Sequence, residues 1–142
     1  MNARTADDPP TRADVERRWR DLTAGKASRE DVHEWAATWV EHRDDEITDP
    51  LVRTGLLHLH GFDMCYVDED RRRVGHGPGA SRVHSDRHIA STLERWLADC
   101  SDHDADPIAF MTAARTRARA AAEAEASRRR RRRAEIPPIA GS

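Results

Sequence analysis

The 142-residue chain is poor in cysteine, lysine and aromatic residues. It holds Cys65 and Cys100, far apart in sequence, the single lysine Lys26, and seven aromatic side chains, 5% of the total. Two distant cysteines make no disulfide framework and supply no C-x2-C pair for a zinc finger. No stretch approaches the ~18 apolar residues that a membrane span needs. The polar start MNARTADDPPTRAD lacks the apolar centre of a secretory signal. These absences predict a cytoplasmic protein with reduced thiols, one intramolecular disulfide being the alternative, and no membrane association. The length suits one domain, whose core buries roughly 65–70% of the unfolded surface without a staple.

Charge is what the chain has in plenty. Charged residues make up 35% and hydrophobic ones 37%, so a substantial part is expected to lie outside the core. Arginine outnumbers lysine 23 to 1. Residues 1–110 carry 15 basic against 23 acidic groups, a net −8, while residues 111–142 carry 9 arginines against 3 glutamates, a net +6. An acidic body is joined to a basic tail, and the two attract different partners.

Apolar spacing is helical almost throughout. After Pro9-Pro10, Thr11 can cap a helix carrying Val15, Trp19 and Leu22 on one face, ended by Gly25. Ser28 and Asp31 form a capping box for a second helix, with Val32, Trp35, Ala36, Trp39 and Val40 in one stripe. Asp49 and Pro50 start a third, with Leu51, Val52, Leu56 and Leu59 facing inward and Gly61 at its end. Leu57 lies off that face and predicts burial on two sides. A fourth helix from Ser85 or Asp86 carries Ile89, Leu93, Trp96 and Leu97, and the polar run 99–106 is expected to break it. Asp106-Pro107 starts an alanine- and arginine-rich segment with little to bury, expected as a projecting or fraying helix stopped by Pro137-Pro138. The glycines at 75, 77 and 79 place an irregular loop across 62–84. The predicted fold class is all-α. It comprises a disordered lead over 1–10 and a compact bundle of about four helices over 11–104. An irregular Gly-rich loop interrupts the bundle, and a basic, partly disordered C-terminal extension spans 105–142.

Motifs for chemistry fail on context. His58, His60 and Cys65 are zinc-type ligands, but residues two apart on a helix point about 200° apart and cannot converge. His84 and His88 straddle a helix start. Gly75-x-Gly77-x-x-Ala80 fits a dinucleotide fingerprint without the strand that should precede it. Asp68 and Asp70 miss calcium-loop spacing, and nothing places a base beside Cys65. The expectation is a non-enzymatic protein without metal or cofactor, acting by interaction.

Two surfaces could mediate that interaction. Glu41, Asp44, Asp45, Glu46 and Asp49 cluster around the turn between the second and third helices, with Trp39 beside them as a hydrophobic anchor. Such a face steers onto basic partners. Trp19, Trp35 and Trp96 are expected in the core with most of Trp39. In the tail, Arg128, Arg129, Arg130, Arg131, Arg132 and Arg133 can bind nucleic acid by counterion release. No aromatic residue lies within or after the run to stack on bases, so it carries no sequence-specific reading.

The segments Gly25-Lys26-Ala27-Ser28-Arg29-Glu30-Asp31-Val32, Trp35-Ala36, Trp39-Val40 and Ile47-Thr48-Asp49-Pro50, with Ile89 to Leu97, resemble a family of small bacterial helical proteins of actinobacterial type. The likeness covers roughly residues 22–65 and 86–98. Some members are similar to immunity proteins encoded beside secreted polymorphic toxins. The resemblance implies an intracellular, immunity-like protein that holds a basic toxin on its acidic face. Nucleic-acid or ribosome association through the tail is the alternative.

Overall fold

A computed structural model describes residues 3–79 and 81–137. These form five α-helices and one two-stranded antiparallel sheet. Each helix begins at a side chain that accepts one of its orphan N–H groups. For α1 (Arg12–Thr23) the cap is Thr11, and for α2 (Arg29–Ala37) it is Ser28, each in a reciprocal capping box with the aspartate at the third helical position. Asp49 caps α3 (Pro50–Gly61) through the Leu51 N–H at 2.9 Å. Ser85 caps α4 (Asp86–Ala105) through the His88 N–H at 3.0 Å. Asp106 caps α5 (Pro107–Glu135) through the Ala109 N–H at 3.0 Å.

Helix ends follow equally local rules. Gly25 has φ +74°. Its N–H reaches the Leu22 carbonyl and that of Lys26 reaches Asp21, which completes a left-handed C-terminal cap on α1. The stripe through Val40 is not one uniform helix: α2 opens into a π-helical turn, Thr38–His42, and then a 3₁₀ turn, Asp44–Glu46.

Three expectations need correction. First, α4 does not stop at Asp99. Residues 99–105 contain neither proline nor glycine, so the polar run propagates helix until Pro107 forces Asp106 out of it, at φ −155°. Second, the count of about four helices falls short, because α5 stays helical through Arg128–Arg133. Glu125 accepts from Arg128, Arg129 and Arg132 there, and alanines supply propensity. Third, Leu57 is 52% exposed, so α3 buries one face only.

The segment between α3 and α4 is more ordered than a glycine-rich loop. β1 (Cys65–Tyr66) pairs with β2 (Val74–Gly75), Cys65 opposite Gly75 and Tyr66 opposite Val74. The returning chain lies on the other side of β1, with Tyr66 N–H on Ser81 O at 2.9 Å and Val83 N–H on Met64 O at 3.0 Å. Ala80, the last residue of the dinucleotide-like string, lies outside the described residues, as do residues 1–2 of the lead and 138–142 of the tail.

Contacts divide the chain into two units, which meet between Cys100 and Ser101. The first contains the core. Trp19 is fully buried at its centre, with ring centroids 5.3 Å from Phe62 and 5.7 Å from Trp96. Val15, Val32, Ala36, Leu56, Leu59, Ile89 and Leu93 pack around them. The buried indoles are not left unpaired: Trp19 Nε1 donates to Ile89 O at 3.0 Å and Trp96 Nε1 to Leu51 O at 2.8 Å. The second unit carries the end of α4 and α5, which has no buried residue.

Candidate nucleic-acid interface and an internal histidine cluster

Nine arginines lie on α5: Arg115, Arg117, Arg119 and Arg128–Arg133. A helix rises about 1.5 Å per residue, so the last six fall within about 9 Å of axis and point all around it. Glu125 neutralises part of this charge. Its carboxylate is 2.8 Å from Arg128, 3.2 Å from Arg129 and 3.1 Å from Arg132. Hydrogen bonds from Arg128 and Arg129 hold its pKa below the usual carboxylate value. Arg131 and Arg133 make no ion pair among the described residues.

The acidic group is largely paired within the fold. Asp49 caps α3 and takes Arg12 Nε at 2.7 Å. Burial pushes its carboxyl up, but the bonds from Arg12 and the Leu51 N–H outweigh that and leave it below its ordinary value. Asp44 takes Arg53 Nε at 3.0 Å. Glu46 is gripped by both ends of the Arg43 guanidinium, whose hydrogen bond lowers its pKa. Arg43 also lies over the Trp39 ring, 4.2 Å from the centroid. Asp45 is exposed. Trp39 is only 4% exposed, so it belongs to the core and presents no anchor to a partner.

A third grouping escaped the sequence. His33 on α2, His60 near the end of α3 and His76 just after β2 cluster together: His33 stacks on His76 with centroids 4.4 Å apart, His60 is tilted to His33 at 4.5 Å and meets His76 edge-on at 4.8 Å. One ring nitrogen from each lies within 4.8 Å of the other two. His33 Nδ1 is 2.7 Å from the carbonyl of His60, and His76 Nδ1 is 2.6 Å from Oδ1 of Asp63, a carboxylate 1% exposed. His60 Nε2 is buried without a hydrogen-bond partner, and Glu41 Oε2 approaches it to 3.9 Å. Burial lowers the His60 pKa, and its two histidine neighbours lower it further. His58, the other half of the H-x-H pair, turns away onto Trp19 at 5.5 Å, as helical geometry requires. His84 and His88 stack with each other at 5.2 Å and stay outside the cluster. The separations of 27 and 16 residues between its members obey no motif. The only local hint was an aspartate, Asp63, among the apolar residues Phe62, Met64 and Cys65.

No curated protein and no solved structure is similar to this chain. Residues 3–73, half of the chain, match a protein family described as YxzC DNA-binding protein. That match overturns the immunity-like reading, since the description names DNA and not a toxin. Arg53, Arg43 and Arg12 pair with Asp44, Glu46 and Asp49 within the fold, while Glu41 and Asp45 stay exposed. By this match the chain belongs to the family described as YxzC DNA-binding protein.

Proposed function

We propose that the chain binds DNA, with the arginines of α5 supplying the attraction and without selecting a base sequence. The family description names DNA binding, and the charge of the second unit supports it. The matched segment cannot supply that attraction by net charge. Residues 3–73 carry 12 basic against 17 acidic groups, a net −5. The tail can. Duplex DNA carries one negative charge per ~1.7 Å of axis, and six arginines within about 9 Å of helix axis present a comparable density of positive charge. Each guanidinium that neutralises a phosphate releases condensed counterions, and that release drives binding. Contacts of this kind position a protein on the duplex and carry no base readout.

One feature inside the matched segment favours a second contact. Arg71, Arg72 and Arg73 form the turn between β1 and β2. Arg71 sits at φ +55° with its guanidinium 5.3 Å from the Tyr66 ring centroid. Asp68 holds the turn by accepting from the Arg72 N–H at 2.9 Å. Three exposed arginines on a two-stranded ribbon suit a phosphate contact.

The two surfaces are separable by fluorescence anisotropy on a labelled duplex. Changing Arg128–Arg133 to glutamine should remove most of the affinity, and changing Arg71–Arg73 to glutamine should remove a smaller share. Unchanged affinity in the first variant would refute the assignment to α5.

A further inference from the structure

We propose that His33, His60 and His76 form a binding site for a first-row transition-metal dication, zinc by preference, which fastens the β1–β2 segment to α2 and α3.

The donor set comes first. Three imidazoles offer nitrogen ligands of the kind that zinc, nickel and copper take, and that calcium and magnesium do not. Three histidines from three different elements leave a fourth position for water or for the carboxylate of Glu41, 3.9 Å from His60 Nε2.

The second observation concerns what fixes the rings. A carbonyl oxygen can only accept, so the 2.7 Å contact of His33 Nδ1 with His60 O places the proton on Nδ1 and leaves the lone pair on Nε2. The 2.6 Å contact of His76 Nδ1 with Asp63 Oδ1 does the same for His76. Metal-bound histidines are oriented in this way by a carbonyl or a carboxylate behind the ring. Asp63 is nine-tenths buried and more, and its charge faces the cluster, where a dication would compensate it.

The third observation is the orphan. His60 Nε2 is shielded from solvent and bonds to nothing among the described residues. A buried polar nitrogen without a partner is rare in a folded protein. A coordinate bond would satisfy it.

Distances require a modest contraction. One ring nitrogen of each histidine lies within 4.8 Å of the other two, while tetrahedral zinc with bonds of ~2.1 Å needs about 3.4 Å between ligands. His76 has the most freedom to close the gap, with a side chain 40% exposed on the hairpin segment.

The test uses the full, untagged chain after treatment with a chelator. Zinc alone is titrated in competition with a chromophoric chelator, and cobalt(II) serves as the spectroscopic probe. We expect one equivalent of zinc per chain and visible cobalt bands without a thiolate charge-transfer band. Zinc should also slow hydrogen exchange at the N–H groups of Tyr66, Val67 and Val83. Asp63→Asn should weaken binding about 10–100-fold through loss of the group behind the ring. His33→Gln and His76→Ala should weaken it at least as much. His88→Gln, in the neighbouring histidine pair, should leave it unchanged. Should His33→Gln fail to fold by circular dichroism, His76→Ala on the exposed segment still decides. No zinc uptake, uptake unaffected by His76→Ala, or a thiolate band from Cys65 would each overturn the site.

Discussion

The indole N–H of Trp96 reaches the carbonyl of Leu51 across Gly55, one turn further along α3. A Cβ at residue 55 would lie 2.7 Å from Val15 Cγ1 and 3.1 Å from two atoms of the Trp96 ring. The glycine is therefore what lets α1 and the α4 tryptophan close on α3. Gly55→Ala gains about 1 kcal/mol of helix propensity, but forcing a methyl into a filled core costs typically 1–3 kcal/mol. A net loss of about 1 kcal/mol is expected, read as a lower urea midpoint. An unchanged or raised midpoint would show that the contact is slack.

Asp49 joins a cap to an ion pair, and its removal should be felt in both. Asp49→Ala is expected to cost about 1–2 kcal/mol, in the range for a lost N-cap. The pH dependence follows from the depressed pKa. The folded form binds the proton less tightly than the unfolded form, so the carboxylate's contribution is complete above the ordinary aspartate value, 3.8. It is lost as pH falls through the lower folded value. Wild type and Asp49→Asn should therefore converge in stability in strong acid and differ most at neutral pH. Parallel stability curves down to the acid limit would contradict the pairing.

On the proposed assignment of DNA binding to α5, Glu125 competes with DNA for three arginines. Glu125→Gln removes the carboxylate that holds Arg128, Arg129 and Arg132, and removes a charge that repels phosphate. Tighter DNA binding and a slightly steeper salt dependence are expected, together with some loss of helix content in α5. Weaker binding would mean that the order imposed on the arginines matters more than their neutralisation.

The helices were legible because their signals are local. Thr11, Ser28, Asp49, Ser85 and Asp106 each act within three residues, and the stripes through Trp19, Leu56 and Ile89 need only a period. The end of α4 was misread for the same reason: polarity suggests a break, but only Pro107 enforces one. Function was harder to read. Glu41 to Asp49 look like an acidic face in sequence, while their partners Arg12 and Arg53 come from other elements and cancel much of that charge. The histidine cluster assembles from α2, α3 and the hairpin segment, and no spacing rule links residues 33, 60 and 76. The arginine run was visible at once, because its meaning lies in its charge density and not in what the fold brings near it.

The claim that DNA is held by phosphate contacts to α5 is tested most directly by the salt dependence of binding. Affinity for a duplex is measured across a series of monovalent salt concentrations for wild type and for the chain with Arg128–Arg133 changed to glutamine. Each phosphate neutralised contributes about −0.9 to the slope of log K against log salt, so four to six contacts give a slope of roughly −4 to −5. The account predicts that slope for wild type, similar values on unrelated duplex sequences, and a fall of at least about 3 in its magnitude in the variant. Equal slopes for the two proteins would contradict it.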